Sequence, residues 1–417
     1  MEILSDGETE VLKMSEHSNF EKFPGRVGII QRVLPAYRAG FFNALARASR
    51  GGLSVFAGNS RSGESIGTTD QLNEANFVLA GNWELFHPHA TPYLLWQAGL
   101  FRWLEAWDPD ILVAEANARY LSVRAAGRWM HERGRPMVGW GLGVPMIEAA
   151  KPRSDFCAHI QDKLWKKFLR SFDAVIAYSQ NGALQYRWAG LPAQRVFVAP
   201  NAVAPQPEGP PPHRPPGFEG KPKVLFVGRL QVRKRIDNLL KACASLSDDL
   251  QPQVWIIGDG PAKREFQSLA RDIYPQARFF GVVRGSALQT YFARADLFVL
   301  PGTGGLAVQE AMAAGLPVVV AEGDGTQADM VRPGTDQRCG NGWLVPSDDV
   351  SALEGTLRIA LSDPVRLRKM GAESYRMAVE EYNLENMVKV FIGALTAVNT
   401  WNIERRDYGR RKIKSGS

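Results

Sequence analysis

Short apolar runs alternate with amphipathic stretches along most of the chain. Residues 27–30, 53–57, 111–114, 137–141, 174–178 and 196–199 are apolar runs of strand length, rich in β-branched and small residues, and predict buried strands. Between them, Tyr37, Phe41, Leu45 and Ala48 recur at helical spacing on a helix beginning near Ala36. Residues 121–133, 162–170 and 183–189 read as further helices. The polar stretch 59–76, rich in glycine, serine and threonine, predicts a long loop. Residues 92–107 carry Tyr93, Trp96, Phe101, Trp103 and Trp107 and predict an aromatic helix. Strand alternating with helix implies a parallel, doubly wound sheet covered on both faces.

The alternation stops at residues 204–222, where Pro210–Pro211–Pro212 and Pro215–Pro216 can continue neither a helix nor a strand ladder. It resumes with strands at 224–228, 254–258, 278–280, 297–300, 317–321 and 341–345, and helices at 236–246, 262–271 and 286–293. Helices follow from Val350. The expected organisation is a flexible leader (1–24), a first α/β domain (25–203), a proline-rich linker (204–222), a second α/β domain (223–383), a last helix (384–401) and a basic tail (402–417).

Composition adjusts this picture only slightly. Hydrophobic residues make up 45% of the 417 and charged residues 22%, which excludes disordered and fibrous classes, and the length suits two domains. Cys157, Cys243 and Cys339 have neither pairing nor metal-ligand spacing, which suggests free thiols in a reducing, cytoplasmic setting. The polar, acidic first residues lack the order of a signal peptide, and no later run has the length of a membrane span. A net charge of +7 favours anionic partners, either nucleotide phosphates or an acidic membrane surface, and no nucleic-acid motif accompanies it. His87 and His89 flank a proline without a third ligand, so no metal site is expected.

The chemistry concentrates after two strands of the second half. Residues 296–300 run into Pro301–Gly302–Thr303–Gly304–Gly305–Leu306 and then an alanine-rich helix containing Glu310, closed by Gly315. Glycines at a strand-to-helix junction admit close approach of a ligand, and the free amides of the helix start favour an anion. Glu310 is then an acceptor for sugar hydroxyls. Another strand ends at Gly228 and delivers Arg229 and Lys234 to the carboxyl edge, where a fork and a point charge can neutralise a diphosphate. Gly258–Asp259–Gly260–Pro261 forms a similar turn. In the first half, Tyr37 and Arg38 lie on the loop after the first strand, while Glu115 and Asn117 follow the strand at 111–114.

The segment from Glu310 to Val319, with Gly228–Arg229–Leu230 and Lys234, resembles the retaining glycosyltransferases of family four. That resemblance implies a GT-B fold of two facing Rossmann-like domains and a last helix that crosses back to the first. It also implies a metal-independent reaction without a cofactor, in which a nucleoside diphosphate sugar is the donor. Arg229 and Lys234 would hold the diphosphate; Glu310, with Gly228, Gly260, Gly302, Thr303, Gly304, Gly305 and Leu306, would complete the donor site. Tyr37, Arg38, Glu115 and Asn117 would face the sugar or the acceptor, which would be a glycan, lipid-linked or small-molecule hydroxyl compound, as in polysaccharide or glycolipid biosynthesis. The chain departs from the family in several places: Gly302 replaces the first of two glutamates, Arg235 a glycine after the lysine, residues 34–38 a loop with a glycine pair, and no histidine follows the strand at 111–114. A nucleotide-sugar epimerase on the same fold and a non-catalytic binding subunit are the alternatives. The aromatic helix, residues 163–170 and the tail around residues 405–414 suggest docking on an acidic bilayer; the alternative is that the aromatics are core, packing the helix on its sheet, and that the tail is simply solvated.

Overall fold

The computed structural model describes residues 21–61, 64, 67–85, 93–143, 163–323, 325–334 and 339–415, with side chains to residue 408. The first sheet contains β1 (Val27–Val33), β2 (Leu53–Gly58), β3 (Asn76–Leu85), β4 (Leu94–Ala98), β5 (Ile111–Glu115), β6 (Met137–Gly141), β7 (Ala174–Ala177) and β8 (Val196–Val198). Their order is 4-3-2-1-5-6-7-8, and β4 alone runs antiparallel, to β3. The second sheet contains β9 (Lys223–Val227), β10 (Gln253–Ile257), β11 (Arg278–Gly281), β12 (Leu297–Leu300), β13 (Val318–Ala321) and β14 (Gly342–Val345), ordered 11-10-9-12-13-14 and wholly parallel. In each sheet the strand order reverses beside the first strand. The two crevices so formed, beyond β1 and β5 and beyond β9 and β12, are where doubly wound sheets bind ligands.

Alternate residues of the inner strands feed two cores on either face of the first sheet, because successive side chains point to opposite sides. Ile29, Val55 and Val113 face one core; Ile30, Phe56 and Leu112 face the other. Helix α1 (Ala39–Arg47) covers the first face, and α2 (Leu100–Trp107), α3 (Leu121–Glu132), α4 (163–169) and α5 (Gln180–Trp188) belong to the second. The second domain carries α6 (Ile236–Ala244), α7 (Lys263–Ile273), α8 (Gly285–Arg294), α9 (Leu306–Ala313), α10 (Thr326–Met330), α11 (Val350–Ser362) and α12 (Pro364–Glu380). The last helix, α13 (Leu384–Ser415), packs on the first domain. Its Phe391 meets the edge of Phe41 at 4.9 Å and of Trp140 at 5.0 Å, and Leu395 and Val398 are buried in the same core.

Several segments differ from the pattern-based expectation. Residues 92–107 are not one helix: β4 ends at Ala98, Gly99 turns with φ 89°, and only α2 is helical. Aromatic residues at positions 96, 101, 103 and 107 fit either period, so the glycine decides the break. The expected long loop ends at β3, whose first half pairs with β2 and whose second half pairs with β4 beyond the end of β2. Phe23, inside the expected leader, is buried and its N–H donates to the carbonyl of Ala48. The stretch read as a basic tail continues α13 to Ser415. Residues 1–20, Cys157, His87 and His89 lie outside the described residues; Cys243 is buried and Cys339 exposed, both free thiols.

The proline-rich link is fastened rather than loose. Arg214 donates to the carbonyls of Phe292 (2.7 Å), Ala295 (2.9 Å) and Ala314 (2.9 Å), the unpaired groups at the carboxyl ends of α8 and α9.

Candidate active site

The carboxyl edge of the second sheet is built by three interlocked loops. A Cβ placed on Gly258 would lie 1.9 Å from the carbonyl oxygen of Gly228, and one on Gly260 2.3 Å from that of Leu230, so only glycine allows these loops to touch. Leu230 and Asp259 are joined through the backbone at 2.9 Å. Arg229 follows Gly228 at this edge and is exposed. The 3₁₀ turn Val232–Lys234 follows, and Arg235 then takes up a left-handed conformation (φ 52°). This is where the family's glycine is absent. The Arg235 side chain holds the strained turn by bonding Asp237, Asn238 and Asp348.

Lys234 turns back onto the loop after β12. Its ammonium donates to the Thr303 carbonyl at 2.7 Å, the Thr303 N–H donates to the Arg233 carbonyl at 3.1 Å, and Arg233 Nη1 reaches Thr303 Oγ1 at 3.1 Å. Burial, and secondarily the nearby charge of Arg233, lowers the Lys234 pKa to about 8. Among the described residues no carboxylate pairs with this ammonium. A half-buried cation with no counter-ion, beside an exposed arginine, is a site prepared for an anion.

Gly302 is enclosed by the same turn. A Cβ there would stand 2.3 Å from the Arg233 carbonyl oxygen and 2.6 Å from the Lys234 carbonyl carbon, so the local backbone has no space for any larger residue. The missing glutamate is therefore tied to a loop path that excludes side chains. Glu310 sits in α9, half-buried, and burial raises its carboxyl pKa. No described residue bonds its carboxylate.

A cavity of about 250 Å³ opens between the domains. Gly304, Gly305 and Leu306, at the amino end of α9, form one wall with Thr326 and Asp329; Tyr37, Arg38 and Tyr178 of the first domain form the opposite one. Lys234, Arg229 and Glu310 are not among the lining residues; Lys234 touches the lining loop at Gly304, where a Cβ would stand 2.2 Å from its Nζ. Asn201 and Gln309 close the base: Gln309 donates from Nε2 to the Asn201 carbonyl at 2.5 Å and accepts from the Val203 N–H at 3.3 Å. Gln327 donates to the Gly304 carbonyl at 2.7 Å, and Asp329, on the same short helix, accepts from the Gln180 N–H of α5 at 2.6 Å. Thus α10 ties the glycine loop to the first domain.

Glu115 and Asn117 are outside the cavity lining. The Glu115 carboxylate accepts from the Arg32 N–H at 3.4 Å, and burial raises its pKa. Asn117 accepts from the Arg119 N–H at 3.1 Å and so closes its own turn. Tyr178, Gln309, Thr326 and Asp329 were not among the residues singled out from the sequence. They come from segments far apart in the chain; Gln309, next to Glu310, carried the one local hint. Among the described residues no cluster of His, Cys, Asp and Glu could hold a metal, and no helix is long and apolar enough to cross a membrane.

Comparison with known proteins matches this architecture to a family. Residues 213–377 fit the model of the glycosyl transferases group 1, and residues 57–206 that of glycosyltransferase family 4. A GDP-mannose-dependent alpha-mannosyltransferase of Mycobacterium tuberculosis is 30% identical over 67% of this chain and 71% of its own. The chain belongs to the group 1 glycosyltransferases of family four. A protein of the same description from Mycolicibacterium smegmatis is 36% identical over 39% of each chain, and sulfoquinovosyl transferase SQD2 of Arabidopsis thaliana is 36% identical over 40% of this chain. The match spans 39% and 32% of the lengths of these two relatives. Anabaena HepE, solved with UDP, shares the fold at a TM-score of 0.65 and 15% identity, over 89% of this chain and 99% of its own. Sucrose-phosphate synthase of Thermosynechococcus elongatus does so at 0.63 and 19%, over 94% and 100%. The fold of this chain is GT-B, with the glycine loop and Lys234 at the switch point of its second domain.

Proposed function

We propose that this protein transfers a sugar from a nucleoside diphosphate sugar to a hydroxyl acceptor with retention at the anomeric carbon. The observation that carries the reading is the uncompensated Lys234 ammonium held at the glycine loop, with Arg229 on the neighbouring strand end. As the bond between C1 and the β-phosphate oxygen breaks, its electron pair passes to the phosphate. Lys234, Arg229 and the free amides ahead of α9 stabilise that charge. The acceptor oxygen bonds to C1 from the same face, and its proton goes to the departing phosphate oxygen. Asp329 is the one acid among the described residues lining the cavity, and its carboxylate is engaged by the Gln180 N–H. Glu310, half-buried without a partner, would accept the ribose hydroxyls.

The relatives described as GDP-mannose-dependent make GDP-mannose the first donor to try. GDP-mannose carries an α-linked anomeric carbon, so an alpha-mannosyltransferase retains configuration. Purified protein should release GDP from GDP-mannose in the presence of a lipid extract and give an α-linked product by NMR. A β-linked product, or no transfer from GDP- or UDP-sugars, would overturn the reading.

A lipid-linked acceptor is the acceptor class supported by the first domain's surface. Helices α4 and α5 pack together through the stacked rings of Trp165 and Tyr186, 6.4 Å apart, and expose Leu164, Leu184 and Trp188, the last at 76%. Lys163, Lys166, Lys167, Arg170 and Arg187 lie on these helices and the turn after α4, without an acid among them. Aromatic and aliphatic tips surrounded by cations suit an anionic bilayer. The aromatic stretch at 92–107 adds less than its composition suggests: Trp103 is buried, stacked on Phe56 at 5.0 Å, and Trp107 bonds the Val27 carbonyl. The protein should float with anionic vesicles at low salt and lose them as salt is added; equal recovery with neutral vesicles would favour a soluble acceptor.

A further inference from the structure

The ribbon formed by β3 and β4 turns an apolar face to solvent. Gly81, Trp83 and Leu85 stand opposite Ala98, Trp96 and Leu94 in the antiparallel ladder, and residues directly opposite share a face. Leu79 continues that face by alternation along β3. Leu79, Trp83 and Leu85 are exposed, Trp83 at 64%, and Trp96 meets the exposed ring of Phe101 in α2 at 6.3 Å. None of these residues is charged. Contiguous apolar surface of a few hundred Å² on a folded chain marks an interaction site.

The opposite face fixes the ribbon to its domain. Leu95 and Gln97 are buried; Gln97 donates to the Gln31 carbonyl at 3.0 Å and Asn82 to the Arg32 carbonyl at 2.9 Å, while Glu84 pairs with Arg61. The edge of β4 away from β3 is engaged as well, since the Leu95 N–H donates to the Arg119 carbonyl at 3.0 Å. Addition of a foreign strand at that edge is hindered, and the face is the part left for association. A ribbon held this firmly has little freedom left to lose on binding.

Charge distinguishes the surfaces that could meet this face. The chain carries a net charge of +7, so two copies repel unless they meet across a neutral surface. The face is neutral, and the exposed charges on α2 beside Phe101 are Arg102 and Glu105, one of each sign. A two-fold axis brings a surface against itself, so a rim carrying both signs complements its own copy. An anionic bilayer is matched instead by the cations of α4 and α5, which have no acid among them.

We infer that the β3–β4 ribbon is the contact surface of a homodimer, in which two ribbons stack face to face about a two-fold axis with Trp83 and Phe101 as the buried anchors. The contact shares no residue with the lining of the inter-domain cavity and does not rest on the transfer reaction.

The test is sedimentation velocity on the full chain across the micromolar range, for the parent, for Trp83→Ser combined with Leu85→Ser, and for Trp188→Ser on α5, with folding checked by circular dichroism. The parent should form dimers as its concentration rises. The ribbon variant should raise the dimer dissociation constant about tenfold or more, as loss of an aromatic anchor does; Trp188→Ser should leave it unchanged. Where the ribbon variant does not fold, hydrogen exchange on the parent decides, because residues 81–85 should exchange faster once dilution separates the copies. A parent that stays monomeric, dimers indifferent to the ribbon substitutions, dimers broken by Trp188→Ser instead, or exchange unaffected by dilution overturns the inference. So does a monomer that binds neutral phosphatidylcholine vesicles through Trp83, since the face then belongs to lipid.

Discussion

The Lys234 ammonium and the Thr303 carbonyl, 2.7 Å apart, fasten the loop after β9 to the loop after β12 across the switch point of the second sheet. One hydrogen of the ammonium is spent on the loop, and the others are available to a ligand. The same contact shapes the glycine loop and aims the charge, so loss of Lys234 should affect catalysis more than folding. Lys234→Ala is expected to lower turnover by roughly a hundredfold or more, the usual effect of removing one charge-stabilising donor. Steady-state kinetics alongside the melting temperature would check it, and parent-like turnover would remove Lys234 from the site.

The same residue predicts a pH profile. Burial lowers the Lys234 pKa to about 8, against 10.5 for a free side chain. Below that pH the ammonium is charged and ready for a diphosphate; above it the empty site sheds the proton, so affinity should fall as pH rises through about 8. A bound diphosphate favours the charged form, so binding in alkaline solution should take up a proton. Calorimetry in buffers of different ionisation enthalpy would detect that uptake. Lys234→Arg should flatten the profile, and a flat parent profile from pH 7 to 9.5 would contradict the assignment.

Restoring the family's glutamate should not restore a function here. With the Arg233 carbonyl oxygen 2.3 Å from a Cβ at position 302, Gly302→Glu must displace the turn that carries Lys234. We expect a loss of about 1–3 kcal/mol of stability, as for overpacking, together with weaker nucleotide binding. Thermal denaturation with and without GDP reads both; a variant as stable as the parent with higher turnover would show that the loop has more space than its backbone implies.

Gln309 joins the two domains at the base of the cavity. Gln309→Ala removes the partners of the Asn201 carbonyl and the Val203 N–H, at an expected cost of about 1–3 kcal/mol. Hydrogen exchange should quicken at Val203 while the strands of both sheets stay protected. Unchanged exchange at Val203 would mean that Gln309 does not hold the link.

The second domain was legible because its strands are short, unbroken apolar runs closed by glycine, as at 224–228 and 254–258. The glycine loop was legible for the same reason, since it begins at a strand end; Lys234 and Glu310 lie farther on and were marked by the family resemblance. In the first domain the β3–β4 ribbon escaped notice, since β3 has partners on both sides in succession and exposes Leu79, Trp83 and Leu85 on one face. An exposed apolar stripe gives no clean alternation. The cavity's first-domain wall was only half visible: Tyr37 and Arg38 follow a strand, while Tyr178 joins them from the end of a distant one. Asp329 and Thr326 are brought in by a five-residue helix with no sequence signature.

The central claim, that a nucleoside diphosphate occupies the second domain's switch point, is tested most directly by calorimetric titration of GDP and UDP into the parent, Lys234→Ala and Glu310→Ala proteins. The account predicts one molecule of at least one of the two bound per parent chain. It predicts weaker binding in both variants, by roughly 1.5–3 kcal/mol for Glu310→Ala, the range for hydrogen bonds to a charged group. Absence of binding by either nucleotide, or equal affinity in all three folded proteins, would contradict it.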